Sequence, residues 1–363
     1  MEVRGIDHVE LYVGDARQSA FYFCTAVGFV QCGQGGPETG LVDQRSLLLR
    51  QAGITMVLTT GLTAEHPAAG YVQRHGDGIA VLAIEVDDAA TAYAELVAAG
   101  ATAVTPPVTY PGTDGAVTVA EVAGIGDITH RLVQRTGEES AFLPGAIEPV
   151  PPAADPAAGP LREIDHLAIC VPAGQLLPTV RRYEEIFGFR QIFTEYIEVA
   201  GQGVNSIVVQ SPSGQVTLVL LEPDPARRPG QIVDFLRWHA GAGVQHLGLR
   251  TDDILGAVTT LSARGVRFNG TPGAYYDVLE DRVGPLANPV ERLRDLGVLV
   301  DRDHGGQLLQ IFTESMHVRR TLFLEVIERR GARTFGSGNI KALYEAKERE
   351  LAAAGPVPQE VGS

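Results

Sequence analysis

GIDHVELYV at residues 5–13 and EIDHLAICV at residues 163–171 are two copies of one apolar strand with a histidine inside it. Each copy is followed by a helix-like stretch that ends in an aromatic residue near Gly-Phe. Further on, residues 75–101 parallel residues 240–266 without a gap. An internal repeat of this length reflects the whole fold and is considered before any local motif. The sequence therefore predicts two similar modules in tandem.

The repeat also predicts where the modules begin and end. We expect an N-terminal module over residues 1–140, an extended Pro/Ala-rich linker over residues 141–162 and a C-terminal module over residues 163–363. Strand patterns interleaved with short helical patterns in both modules indicate an α+β fold. Helices are expected at residues 15–27, 88–99, 174–187 and 253–264.

A further helix is predicted at the C-terminal end of the chain. Residues 339–355 form an amphipathic pattern that ends in a glycine. Gly336 and Gly338 precede this pattern and would let the helix pivot, so that it closes over a site as a lid. Packing of one apolar face without any lid function is the equally weighted alternative.

Three polar side chains interrupt strand-like apolar runs in the second module: His166, His246 and Glu325. Each would cost several kcal/mol to bury without a partner. Two histidines and a carboxylate from three strands are the ligand set of non-haem Fe(II) oxygenases, which leaves the opposite face of the metal for substrate and O2. Any one of them alone would more often be a satisfied core residue. For the three together, the internal repeat favours a metal site over three separate core residues.

The first module lacks the full set of ligands. Residues 130–137 parallel residues 324–331, although only Arg135 and Gly137 anchor that alignment. His8 takes the place of the first histidine, whereas a valine (residue 81) and an arginine (residue 131) stand where the second module has its other two ligands. Valine and arginine cannot bind a divalent metal. We expect a metal-free first module in which His8 is a satisfied core histidine.

Strand alternation places further side chains around the predicted ligands, because residues two apart share a face. The sets that share a face are Phe323, Glu325 and Ile327; Gln310 and Phe312; Thr217, Val219 and Leu221; and Ser206 and Val208. The result is a mostly apolar pocket with a few amides and hydroxyls, which suits a small aromatic substrate.

The composition is typical of a soluble enzyme. A net charge of −15 argues against nucleic acid or an anionic membrane as partner. No apolar run reaches the roughly 18 residues of a membrane span, and the N-terminus has no signal-peptide pattern. Three cysteines without a CxxC motif fit a reducing cytoplasm. Of the other histidines, His75 is expected in a turn and His239 in solvent.

Several motifs together resemble those of the 4-hydroxyphenylpyruvate dioxygenase family. They are IDH (164–166), GVQH (243–246), FLEVIE (323–328), QIFT (310–313), GAYYD (273–277) and FGSGNIKALYEA (335–346). The resemblance covers nearly the whole chain and implies two modules of the vicinal-oxygen-chelate fold, each an open barrel. It implies that His166, His246 and Glu325 hold Fe(II), and that 4-hydroxyphenylpyruvate and O2 bind there. It also implies a substrate pocket formed by Ser206, Gln231, Gln310, Asn339, Phe312, Phe323 and Phe335.

Two branches of this family convert the same substrate to different products, homogentisate or 4-hydroxymandelate. Homogentisate-forming members read F-P-I-N-E-P where this chain has residues 218–223, and they carry phenylalanine in place of Ile340. Leu221 and Ile340 match the hydroxymandelate-forming branch, whereas Val219 departs from both. Smaller, apolar side chains here would let the bound ring turn its benzylic carbon toward the oxidant, and small displacements decide which bond reacts.

The sequence therefore predicts Fe(II)-dependent oxidative decarboxylation and benzylic hydroxylation of 4-hydroxyphenylpyruvate to 4-hydroxymandelate. Formation of homogentisate is the alternative within the family. A metal-free protein of the same fold that binds aromatic ligands is the alternative from another class. Whether the chain forms a homodimer is left open.

Overall fold

The computed structural model describes residues 1–137, 141–199, 201–336, 338–339 and 341–342 of the 363-residue chain. Its first sheet has the strand order β6-β7-β8-β5-β1-β4-β3-β2-β9. Pairing is parallel between β1 and β4 and between β5 and β8. The strands are β1 (Val3–Tyr12), β2 (Val30–Gly35), β3 (Gln44–Gln51), β4 (Ile54–Gly61), β5 (Gly78–Val86), β6 (Ala103–Pro111), β7 (Gly115–Ala123), β8 (Thr129–Gly137) and β9 (Glu148–Pro149).

The second sheet repeats the first, with the strand order β11-β12-β13-β10-β14-β17-β16-β15. Its strands are β10 (Glu163–Cys170), β11 (Arg190–Val199), β12 (Gln202–Gln210), β13 (Thr217–Pro223), β14 (Gly243–Arg250), β15 (Leu299–Arg302), β16 (Gln307–Phe312) and β17 (Phe323–Arg330). The parallel pairs again join the first strand to the fourth, β10 to β13, and the central pair β14 to β17. The prediction of an α+β fold with two repeated modules is confirmed.

Helices lie against the sheets in both modules. They are α1 (Ala16–Tyr22), α2 (Pro67–His75), α3 (Ala89–Ala98), α4 (Leu176–Glu185), α5 (Gln231–His239), α6 (Ile254–Ala263), α7 (Gly273–Tyr276), α8 (Leu279–Val283) and α9 (Val290–Leu296). Equivalent aspartates begin α3 and α6: Asp88 accepts a hydrogen bond from the Thr91 amide and Asp253 from the Gly256 amide. The described helices fall short of the length and hydropathy that a bilayer crossing requires.

A single apolar core runs through both modules. It contains Leu11 and Leu82 of the first sheet together with Leu167 and Leu247 of the second, all of them buried. The segment between the modules also adds a buried residue, Leu161. Because residues from both sheets belong to one continuous cluster, the two modules support each other's packing.

A pair of stacked histidines joins α2 of the first module to α5 of the second. The rings of His75 and His239 lie 4.3 Å apart at 20°. His75 Nδ1 lies 2.5 Å from the His239 carbonyl oxygen, and its Nε2 lies 2.7 Å from the Asp127 carboxylate. Burial, followed by the charge of His75, lowers the pKa of His239 to about 4. The expectation that His239 lies in solvent is wrong, because the contact between α2 and α5 covers it.

The equivalent helix caps make a testable contribution to stability. Asp253→Ala removes the acceptor for the Gly256 amide, and we expect it to lower the free energy of unfolding by about 1 kcal/mol. Asp252→Ala is the matched control: this neighbour makes only an exposed ion pair with Arg162, so the change should stay within about 0.5 kcal/mol. Urea unfolding measures both, and an equal effect of the two substitutions would contradict the capping role.

Candidate active site

Three neighbouring strands carry the predicted ligands to one point. In the register of β10, β14 and β17, His166 lies opposite Gly248, and Gly248 lies opposite Glu325. His246 lies two residues before Gly248 and therefore on the same face of β14. Glu325 Oε2 lies 3.1 Å from His166 Nε2 and 3.5 Å from His246 Nε2. All three ligand atoms lie within 4.8 Å of one another.

The glycine between the ligands makes this approach possible. A Cβ atom at Gly248 would lie 2.5 Å from Cε1 of His166, well inside van der Waals contact. The absent side chain thus leaves the room in which the imidazole of His166 reaches the carboxylate of Glu325. In the first module the equivalent position, between His8 and Arg131, carries Ala83.

A half-buried ion pair orients the first histidine. Arg329 binds the carboxylate of Asp165 in a bidentate manner, through Nε at 2.7 Å and Nη2 at 2.8 Å. Asp165 Oδ1 in turn lies 2.8 Å from Nδ1 of His166. Because the carboxylate only accepts hydrogen bonds, Nδ1 carries a proton, and Nε2 is the nitrogen that faces Glu325 and would bind a metal once its own proton has left. Partners of this kind fix the tautomer and raise the basicity of metal-binding histidines.

The electrostatics of the three side chains are strongly coupled. Burial alone would lower the pKa of His166, but Glu325 and Asp165 raise it to about 9. Burial would raise the pKa of Glu325, but the two histidines lower it to about 2. Burial lowers the pKa of His246. Two imidazole nitrogens and an ionised carboxylate that converge in this way fit a divalent first-row metal such as Fe(II).

Aromatic side chains surround the imidazoles. The ring of Phe323 stacks on His246 at 4.9 Å and 22°, and Phe312 meets the same imidazole edge-on at 6.0 Å. Phe335 meets His166 edge-on at 5.4 Å. The three phenylalanines named from the sequence therefore lie against the two imidazoles, and they form apolar walls beside them.

The predicted side chains on β12 and β13 share the face of β10 that carries His166. Ala168, two residues after His166, lies opposite Val219, and Ser206 lies opposite Leu221. Ala168 and Val219 form one apolar cluster, against which Leu221 and Phe335 pack. Ser206 is buried. Strand alternation alone therefore brings these residues to the same side of the barrel.

Two buried amides have polar atoms without partners among the described residues. Both amide atoms of Gln310 and the Nδ2 atom of Asn339 are in this position, and both side chains are fully buried. A buried donor or acceptor without a partner costs about 1–3 kcal/mol. Gln310 lies on β16 two residues before Phe312, which is opposite Glu325, so its unpartnered amide atoms are suited to the polar groups of a ligand at this site.

A cluster that the sequence reasoning missed holds Asn339 in place. The side-chain oxygen of Asn339, Oδ1, accepts hydrogen bonds from the Tyr275 hydroxyl at 2.7 Å and from Arg282 Nη2 at 3.1 Å. Arg282 also donates to the Val300 carbonyl at 2.6 Å. With its carbonyl held in this way, the amide can present only Nδ2 elsewhere. Tyr275 belongs to the GAYYD motif (273–277), and the sequence predicts no role in the site for it.

The remaining predicted residues are placed differently or lie outside the description. Gln231 is the first residue of α5, and its side chain is exposed. Ile340 lies outside the described residues. So does most of the predicted C-terminal helix, of which only Asn339, Lys341 and Ala342 are described.

Comparison with known proteins agrees with this architecture. The profile of the Glyoxalase/Bleomycin resistance protein/Dioxygenase superfamily matches residues 5–126 and again residues 163–284. The chain is 34% identical over 368 residues to 4-hydroxyphenylpyruvate dioxygenase of Yarrowia lipolytica, which covers 97% of this chain and 93% of that protein. It is 35% identical to the enzyme of the same name from Aspergillus fumigatus, with 97% and 94% covered.

A solved structure extends the likeness to three dimensions. It is a mutant of 4-hydroxymandelate synthase from Streptomyces coelicolor, with 45% sequence identity and a TM-score of 0.86. The match covers 97% of this chain and 100% of that one. The family inferred from the sequence motifs is thereby confirmed, as is the vicinal-oxygen-chelate fold. The chain belongs to the 4-hydroxyphenylpyruvate dioxygenase family, within the Glyoxalase/Bleomycin resistance protein/Dioxygenase superfamily.

Proposed function

We propose that the chain converts 4-hydroxyphenylpyruvate and O2 to 4-hydroxymandelate and CO2. The observation that carries the proposal is the convergence of His166, His246 and Glu325, with aromatic rings against the imidazoles and the unpartnered amide of Gln310 on the same face of the sheet. The likeness to a 4-hydroxymandelate synthase at 45% identity supports this branch of the family. Three unpaired cysteines suit a reducing cytoplasm as the place of action.

His166, His246 and Glu325 would hold Fe(II), which when bound supplies a chelation point for the 2-oxo acid and the oxidising chemistry on O2. The protein supplies position. Asp165 keeps the proton of His166 on Nδ1, and Gly248 leaves room for the imidazole to reach Glu325.

Binding of the aromatic ring is assigned to the walls and the amides. Phe312, Phe323 and Phe335 exclude water and confine the ring, while Gln310 and Asn339 are free to hydrogen-bond its polar groups. Each amide that gains a partner relieves the cost of a buried unsatisfied group, so binding of the correct substrate is favoured over an apolar analogue.

The choice of product is assigned to the β13 wall. Leu221 and Phe335 pack against the same apolar cluster. Homogentisate-forming members of the family carry asparagine in place of Leu221. An aliphatic side chain at this point offers no polar anchor, so the ring can rotate and bring its benzylic carbon to the oxidant. Reaction requires the attacked carbon and the oxidant to lie about 3–3.5 Å apart. A small rotation of the ring therefore changes which carbon reacts. We assign Val219 and Ile340 the same role in selecting the product.

Homogentisate formation is the alternative within the family, and the names of the curated relatives at 34–35% identity favour it. A metal-free protein that binds aromatic ligands is the alternative from another class. An iron assay on the purified chain separates it from both enzymes.

The metal site can be tested by substitution in both modules. His166→Ala, His246→Ala and Glu325→Ala should each abolish iron binding and turnover, because three ligands are the minimum for this site. Gly248→Ala should weaken iron binding about 10–100-fold, since its methyl group would displace the His166 imidazole. Anaerobic iron titration of each purified variant is the measurement.

The first module provides the matched controls. Ala83→Gly makes the reciprocal exchange at the position equivalent to Gly248, and His8→Ala removes the equivalent histidine. Both variants should keep wild-type iron content and turnover. Loss of iron on changing His8 would show that the first module holds metal after all.

Metal binding should release a proton. With a pKa of about 9, His166 is protonated at pH 7–8 in the metal-free protein, and a metal can bind only its neutral form. We expect about one proton per iron in this range and an affinity that rises about tenfold per pH unit up to about pH 9. Anaerobic calorimetry in buffers of different ionisation enthalpy counts the protons. A pH-independent affinity with no proton release would argue against the coupled His166–Glu325 pair.

The product separates the two branches. Wild-type protein with Fe(II), air and 4-hydroxyphenylpyruvate should give 4-hydroxymandelate as the main product on chromatography. The double substitution Leu221→Asn with Ile340→Phe restores polarity and bulk and should shift part of the product toward ring-hydroxylated compounds, without complete reversal because contacting residues act non-additively. Homogentisate as the main wild-type product would assign the chain to the other branch.

A further inference from the structure

The first module contains a cavity of its own, with a volume of about 190 Å3. This is room for about six water molecules or one small organic molecule. Three charged side chains line it: Glu10 on β1, Glu121 on β7 and Arg131 on β8. Apolar side chains, among them Tyr110 and Phe142, form much of the remaining wall.

The cavity takes the place in the first barrel that the candidate catalytic pocket takes in the second. Strand registers give the equivalences. Glu121 lies opposite Arg131 as Phe312 lies opposite Glu325, and Ser46 lies opposite Thr59 as Ser206 lies opposite Leu221.

The residues just behind the cavity repeat as well. Arg135 binds Asp7 at 2.8 and 3.0 Å, in the same way that Arg329 binds Asp165. Phe142 meets His8 edge-on at 4.9 Å, as Phe335 meets His166. The duplicated barrel has therefore kept a pocket at this position, with different chemistry at its base.

A guanidinium group stands where the second module gathers its metal ligands. Arg131 Nη1 lies 2.7 Å from Glu10 Oε2 and 3.2 Å from His8 Nε2, and its Nε lies 2.8 Å from Glu121 Oε1. Because a guanidinium only donates hydrogen bonds, His8 Nε2 must accept. The His8 proton therefore lies on Nδ1, 2.6 Å from Asp7 Oδ1.

The charges at the base of the cavity do not balance. Arg135 neutralises Asp7, which leaves Glu10 and Glu121 against the single positive charge of Arg131. Burial would raise the pKa of Glu10, but Arg131 and the Thr59 hydroxyl lower it, so this carboxylate is ionised. Hydroxyl donors from Thr59 and Thr105 ease the surplus without cancelling it. One negative charge remains in a pocket with apolar walls.

We propose that this cavity is a second ligand site, which binds a small organic cation with an ammonium group on a short aromatic or aliphatic body. The ammonium group would lie against Glu121 and Glu10, and the body against Tyr110 and Phe142. Access is at Val108, which lines the cavity and is 41% exposed. A bare metal ion does not fit, because Arg131 already takes up the carboxylates and would repel it.

Three probes that share a phenyl ring but differ in the charge of the head group test the proposal on the full chain by calorimetry at low salt. They are 2-phenylethylamine, 2-phenylethanol and phenylacetate. We expect the amine to bind with a dissociation constant of about 1 mM or tighter, as suits a ligand of about ten non-hydrogen atoms. The alcohol should bind at least tenfold more weakly, because it lacks the charge that Glu121 attracts.

Three variants locate the site. Glu121→Gln keeps the shape but removes the surplus charge and should weaken binding of the amine about tenfold or more. Val119→Phe should fill the cavity and abolish binding, while circular dichroism reports whether the variant is folded. Glu65→Gln makes the same charge change at an exposed position of the first module and should leave binding unchanged.

The possible results of these experiments either support the site or overturn it. Binding of the amine that both Glu121→Gln and Val119→Phe remove supports the site. Failure of the amine to bind to wild-type protein overturns the proposal. So does binding that survives both substitutions, or a Glu65→Gln effect as large as that of Glu121→Gln, since either would place the amine elsewhere on the chain.

Discussion

The ion pair between the first and last strands of each module is the interaction on which both barrels depend. Asp165 on β10 and Arg329 on β17 meet across β14, as Asp7 on β1 and Arg135 on β8 meet across β5. Each pair joins strands that are not hydrogen-bonded neighbours. Each also fixes which nitrogen of the adjacent histidine faces the barrel. One half-buried contact thus couples the fold to the chemistry at its centre.

The two barrels show how little must change to give one frame two kinds of centre. Glycine at position 248 lets two ligands meet, whereas alanine at position 83 stands in the same row of the first sheet. In the first barrel, Arg131 in place of a glutamate puts a fixed positive charge at the centre. This charge pairs with Glu10 and Glu121. The hydrogen-bonded frame is kept, while the charged groups at the base of the barrel differ.

The fold and the convergence of His166, His246 and Glu325 could be predicted because their signals are local. Each ligand interrupts an apolar strand, and the repeat aligns those strands. Asp165 and Arg329 could be seen as repeated residues, but not as partners, since 164 positions separate them and pairing of the strands alone brings them together. The grip of Tyr275 and Arg282 on Asn339 depends likewise on tertiary contacts. Burial of His239 was missed because it arises where the two modules meet, which periodicity within one module does not reveal.

The stacked imidazoles of His75 and His239 bear on how the two halves of the chain can evolve. His239 ends the helix that leads into the strand of His246, and its partner ring belongs to the other half. A substitution that shifts α2 therefore reaches the strand that carries His246 through a few buried atoms. A chimera that joins halves from two relatives would have a mismatched contact between its modules unless both histidines and Asp127 matched one another.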